Sequence, residues 1–537
     1  MSKFNQTSSS LFVKSFLLVL LGVTGFFFAR PLVTSQGKDK EPVKLESATT
    51  SQPGDLVKVI NQTIDESEFA SSRWGLCVIS MKDGSVVLQR DGDKLFTPAS
   101  NMKIYTTGVA LDLLGANYRW RTSVYANSTP DANGVITGDL VLYGRGAPDL
   151  VARSKDESRG SLEKLANDLY ARGVRKIKGN VVGDESYFRG DPLGDGWLWT
   201  DLQWYFGAEA SALSINGNEV DVNLVPAAKA NENALARTSD TEDYVNVQSR
   251  LAAGESGKPT TIGLHRGLSD NNVEAWGELA PGSKGFGARL SVHKPALWAA
   301  KLFLSALKSR GITVEGQALS RDSRMPPSER FDPAHSKELA FVESQSLSEI
   351  VRKTNKESVN LYAELVLRTL GRERGELAAQ TPAVGRERGD DESGVAVIRV
   401  WLARNGVASN RLAFHDGSGL SRLDLVTPES SARLLFAMSR TASGQAFRDS
   451  LPVAGTDGTL GGRLEKLNGR VAAKTGYITY DHALSGYLTT TKGELLAFSI
   501  MSNDQTGRGN SIRLIDQIVT LLAEFPNVPS PATLKAQ

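Results

Sequence analysis

A serine and a lysine three residues apart, Ser100 and Lys103 in Pro98-Ala99-Ser100-Asn101-Met102-Lys103, are residue types whose spacing allows covalent chemistry. Residues i and i+3 share a helix face, so the lysine nitrogen can reach the hydroxyl. A serine is a weak nucleophile until a base takes its proton, and a lysine serves as that base when burial or a nearby cation lowers its pKa. Thr97-Pro98 before and Gly115 after predict a helix over about 100–114. Unpaired N–H groups at its start would help stabilise a developing oxyanion. The spacing alone is not distinctive: Ser-x-x-Lys also begins at Ser35, Ser161, Ser291 and Ser305.

Two further triplets single out the copy at Ser100. Ser358-Val359-Asn360 precedes the strongly helical Leu361 to Leu370, and Lys474-Thr475-Gly476 lies in a strand-like run ending at Tyr477. A strand edge bearing Lys474 and Thr475 offers a cation and a hydroxyl to a carboxylate, and Gly476 lets a ligand approach the backbone. Ser214-Ile215-Asn216 and Ser269-Asp270-Asn271 are decoys, the latter within a strand-rich stretch beside Gly267 and Asn272.

The elements that must position these residues follow from periodicity. Trp74–Met81 and Val86–Arg90 read as a hairpin around Asp83-Gly84; Gly469–Gly476, Ala483–Thr490 and Leu495–Met501 read as three more strands. Paired, they make a five-stranded antiparallel sheet flanked by helices, an α+β arrangement. Helices are expected at Leu56–Gln62, Val395–Arg404, Pro428–Ser439 and Ser511–Phe525, and Ser346 to Glu349 is a capping box that starts another. Between the first and second triplets lies a strand-rich insertion. Its strands are expected at 138–143, 180–184, 220–225, 244–247 and 273–279, with helices at 161–172 and 295–308, and it bears no concentrated set of catalytic residues. The charged stretch Gly371–Gly394, with Gly-Arg-Glu-Arg-Gly twice, reads as a solvated surface loop.

The chain is too long for one core. Lysine plus arginine (62) nearly balances aspartate plus glutamate (60), which argues against a nucleic-acid partner. Lys3 and Lys14 precede an apolar run from Ser15 to Ala29, and a polar stretch follows. This is an export signal, or, uncleaved, a membrane anchor through residues 11–29. Either destination is the periplasm or cell envelope. The single cysteine, Cys77, reads as core, and the five histidines form no cluster at ligand spacing, so a zinc site is not supported. The expected division is 1–30 signal, 31–55 polar linker, 56–118 with 334–527 catalytic domain, 119–333 inserted domain or domains, and 528–537 tail.

Taken together, the triplets resemble the class C low-molecular-mass penicillin-binding proteins, serine-type D-Ala-D-Ala carboxypeptidases and endopeptidases with a β-lactamase/transpeptidase-like fold. Tyr187-Phe188, Gly196-Trp197, the segment 212–218, Asp416-Gly417-Ser418-Gly419-Leu420-Ser421-Arg422 and the segment 451–460 look like that family's landmarks, as does the long insertion. Val359 and the charged 371–394 stretch depart from its pattern. The resemblance implies that Ser100 is acylated by peptidoglycan peptides ending in D-Ala-D-Ala, and trapped by β-lactams, with Lys103 as base and no metal or organic cofactor needed. It further implies that Ser358 and Lys474 relay a proton to the leaving amine. Asn360 would bind the peptide amide, Thr475 with Lys474 the terminal carboxylate, and the N–H groups of Ser100 and Tyr477 the oxyanion. A β-lactamase or esterase on the same fold, or a non-catalytic penicillin-recognising wall-binding protein, are the competing readings.

Overall fold

The computed structural model describes residues 53–524, apart from 157–159, 227–233, 256, 258–259, 379–388 and 508. The expectations for 1–52 and for the C-terminal tail lie outside the described residues. Among these residues no helix is long and apolar enough to cross a membrane.

The strand Arg73–Ser80 is buried on both faces because almost every residue in it is apolar or small. Leu76 and Val78 point to one side and Cys77 and Ile79 to the other, the two-residue period of a strand. Helices cover each side. Pro53–Asp65 and Ile512–Ala523 bury Ile60, Ile64, Ile515 and Ile518 against the first face, and Pro428–Met438 packs Ala432 against the second. The sheet has the expected five antiparallel strands, in the order Val471–Ile478, Asp481–Thr489, Leu495–Asn503, Arg73–Ser80, Val86–Arg90. The strand of the third triplet is therefore an edge.

The helix Met102–Leu114 is buried almost all round over its first ten residues, which are mostly apolar or hydroxyl-bearing, and it ends at Gly115 with φ 89°. Such a helix is held by packing rather than by one amphipathic stripe.

The insertion contains a five-stranded sheet in the order Ala318–Arg321, Val181–Asp184, Leu140–Tyr143, Arg121–Ala126, Lys337–Glu343, and three smaller three-stranded sheets. Lys337–Glu343 thus pairs with Arg121–Ala126 inside the insertion, although the sequence reading assigns it to the catalytic domain. The expected strand at 244–247 is displaced to Asn246–Ala253, and Leu235–Thr238, Thr261–Arg266 and Phe286–Ser291 are additional strands.

The surface-loop reading of 371–394 needs correction at both ends; its middle, 379–388, lies outside the described residues. The helix Asn360–Arg374 runs through Gly371, and the helix Asp390–Arg404 already includes Gly394. The two cross so closely that a Cβ on Gly371 would lie 1.9 Å from the Asp390 carbonyl oxygen. The glycines signal a helix contact, and the charges around them disguised it.

Candidate active site

Ser100 lies in a single turn of 3-10 helix, Ala99–Asn101, which runs directly into Met102–Leu114. Ala99 before it has φ 47°, a conformation that an L residue adopts only where the surroundings impose it. Gly419 makes room: its own Cβ would fall 1.8 Å from the Ala99 carbonyl oxygen.

Lys103 is fully buried, and its Nζ lies 2.9 Å from Ser100 Oγ, 2.7 Å from Asn360 Oδ1 and 2.7 Å from the Ser418 carbonyl oxygen. Burial lowers its pKa to about 7, against the opposing pull of the Asp416 and Glu364 carboxyls. A lysine near neutrality can accept a hydroxyl proton.

Lys474 is equally buried and donates to Ser358 Oγ at 3.0 Å and to the Thr475 carbonyl at 3.0 Å. Burial, with Lys103 nearby, holds its pKa well below the usual lysine value. Ser358 has φ 60°, set between the helices Leu347–Lys356 and Asn360–Arg374. The hydroxyl of Thr475 is 2.7 Å from that of Thr459. Gly476 passes close under the Ser100 turn, where a Cβ would meet the Pro98 carbonyl at 2.6 Å. Ala473 N–H points off the sheet edge to the Pro452 carbonyl, and the alternation of a strand sends the Tyr477 N–H the same way. The Tyr477 ring is exposed.

All three triplets thus meet at one place. The two decoys do not: Ser214 and Asn218 bond one another at the buried end of a turn in the insertion, and Asp270 caps its own turn at Asn272.

The roles of several residues were not anticipated, although Trp197 and Asp416 stand among the landmarks of the resemblance. Asn101 Nδ2 donates to the Lys474 carbonyl at 3.1 Å, tying the first triplet to the third. Asp416 accepts from the N–H groups of Ser418, Gly419 and Ser421, and from the Trp197 indole at 2.8 Å. Glu364 accepts from Gly417 N–H at 3.0 Å. Burial, reinforced by Asp416, raises the carboxyls of Glu364 and Asp424. These acids brace the loop whose Ser418 carbonyl holds Lys103; Asp416, directly before Gly417-Ser418-Gly419, is the one the sequence itself could signal. The Phe206 carbonyl accepts from Asn360 Nδ2 at 2.9 Å, so the insertion does reach the site. A backbone acceptor leaves no trace in side-chain spacing.

The chain's arrangement can be set beside known proteins. Residues 56–525 match the D-Ala-D-Ala carboxypeptidase 3 (S13) family. The D-alanyl-D-alanine carboxypeptidase of Actinomadura sp. strain R39 is 31% identical over 500 residues, covering 91% of this chain and 88% of that protein. The D-alanyl-D-alanine carboxypeptidase DacB of Haemophilus influenzae is 27% identical over 436 residues, covering 80% of this chain and 84% of that protein. The crystal structure of penicillin-binding protein 4 from Haemophilus influenzae superimposes with a TM-score of 0.72 at 24% identity, covering 88% of this chain and 98% of the other.

Proposed function

Since the chain belongs to the D-Ala-D-Ala carboxypeptidase 3 (S13) family, and so is a low-molecular-mass penicillin-binding protein with hydrolase activity, we propose that Ser100 is the nucleophile of its carboxypeptidase reaction. The observation that carries this is the 2.9 Å approach of a fully buried Lys103 to Ser100 Oγ.

Ser100 Oγ attacks the carbonyl of the penultimate D-alanine while its proton passes to Lys103 Nζ. The C–N bond to the terminal D-alanine breaks, and its amine takes a proton relayed through Ser358, beside Lys474. Asn360 holds the peptide amide, Thr475 and Lys474 the terminal carboxylate, with Gly476 leaving room. The N–H groups of Ser100 and Tyr477 receive the oxyanion, a contribution of about 3–4 kcal/mol per donor in other hydrolases. Water then cleaves the ester. A β-lactam acylates the same serine, but its leaving amine stays tethered, so the adduct persists.

The reaction belongs to the cell envelope, and we place the N-terminal apolar run as the export signal or anchor that takes the chain there. Membrane fractionation of the full chain, followed by N-terminal sequencing, separates a cleaved signal from a retained anchor.

The test is incubation with fluorescent penicillin beside Ser100→Ala, read by intact mass. A stable adduct is expected in the parent alone; labelling of Ser100→Ala would overturn the assignment. A muropeptide panel then divides the activities: loss of cross-linked dimers marks endopeptidase action, and release of D-alanine with dimers intact limits the enzyme to carboxypeptidase action.

A further inference from the structure

The insertion contributes none of the three triplets, yet it supplies the acceptor that orients Asn360. An amide side chain shows a neighbour either its oxygen or its NH2, according to a half-turn about one bond, and the two ends have nearly the same shape. Only the oxygen can accept from Lys103. With Nδ2 donating to the Phe206 carbonyl at 2.9 Å, a turned amide would set oxygen against oxygen.

Phe206 sits in the short turn Tyr205–Gly207, and the groups that hold this turn lie behind it. The Ser291 N–H donates to the Gln203 carbonyl at 3.0 Å and its hydroxyl to the Leu202 carbonyl at 2.5 Å. Arg266 donates to the same Leu202 carbonyl at 2.7 Å and to Ser291 Oγ at 2.9 Å. Its other end donates to the carbonyls of Gly267 and Asp270 at 2.9 and 2.8 Å. Arg266 is only 4% exposed, these partners are all uncharged, and its Nε has no partner among the described residues. Burial disfavours the cation, against the pull of the Glu209 and Asp270 carboxylates, and its four hydrogen bonds tie the backbone at 202, 267 and 270 to Ser291.

We propose that Arg266 is a positioning residue for catalysis: it fixes the Leu202–Phe206 segment so that the Phe206 carbonyl keeps the Asn360 oxygen facing Lys103. The inference rests on Ser100, Lys103 and Asn360 being the acylation machinery.

The test is a double-mutant cycle on the full chain, with the rate of fluorescent-penicillin acylation as readout. Arg266→Met is expected to slow acylation tenfold or more in the parent and to have no further effect in Asn360→Ala. Hours-long incubations keep the slow variants measurable. Effects that multiply would overturn the proposal, because Arg266 would then act other than through Asn360; so would undiminished acylation by Arg266→Met. Should Arg266→Met fail to fold, Ser291→Ala removes one hydroxyl from the same network and goes through the same cycle. Ser100→Ala run alongside must stay unlabelled, so that additivity counts against Arg266 and not against the nucleophile.

Discussion

Lys103 is held between opposing demands. Removal from water lowers its pKa to about 7, while the Asp416 and Glu364 carboxyls work to keep it protonated. Only the neutral amine can take the Ser100 proton. Acylation by penicillin should therefore rise with pH through about 7 and level off above it. The second-order rate constant measured across that range checks this, and a flat profile would remove Lys103 as base. Stability runs in the same direction. An unfolded lysine keeps its proton up to its ordinary value of 10.5, whereas the folded one releases it near about 7. Between those values the unfolded state binds more protons, so this group's contribution to stability grows as pH rises across the window.

At the scale of elements, most of what positions the site is legible. Lys474, Thr475 and Gly476 stand on a strand because Val471, Ala473 and Ile478 pattern it, and Ser346 with Glu349 forms the capping box expected of them. The failures share one cause: contacts made by backbone. Thr261–Arg266, short and with only Ile262 and Leu264 as its apolar alternation around Gly263, is completed as a strand by its ladder to Asn272–Leu279. Gly371 and Gly394 look like loop residues but are the points where two helices touch. This last reading has a direct check. Alanine favours an isolated helix over glycine by about 1 kcal/mol. Gly371→Ala should nevertheless destabilise the protein, by about 1–3 kcal/mol, because the added methyl has no space against Asp390. A denaturant midpoint unchanged or raised would contradict the close crossing.

For the molecule as a whole, the stretch between the first and second triplets is tied to the rest of the chain at the site itself. The Trp197 indole donates to buried Asp416 across that junction. Trp197→Phe keeps the ring and removes the donor, at a cost of about 1.5–3 kcal/mol for a bond to a charged group. Hydrogen exchange should quicken around residues 196–207 and in 416–421, leaving the insertion's distant strands as they were. Uniform quickening would mean that this contact supports the fold generally rather than the junction.

The sheet order carries a consequence for how the chain becomes an enzyme. Arg73–Ser80, among the first strands made, lies directly against Leu495–Asn503, the last. The insertion can assemble as soon as Lys337–Glu343 has emerged to meet Arg121–Ala126, while the catalytic sheet waits for its closing strand. Pairings this distant in sequence form late. A chain made from its N-terminus thus has no Lys474 to set beside Ser358, and no edge strand under Ser100, until almost all of it has been made. If these residues carry the hydrolysis as proposed, activity is expected only once the chain is complete, and an incomplete chain is expected to have none.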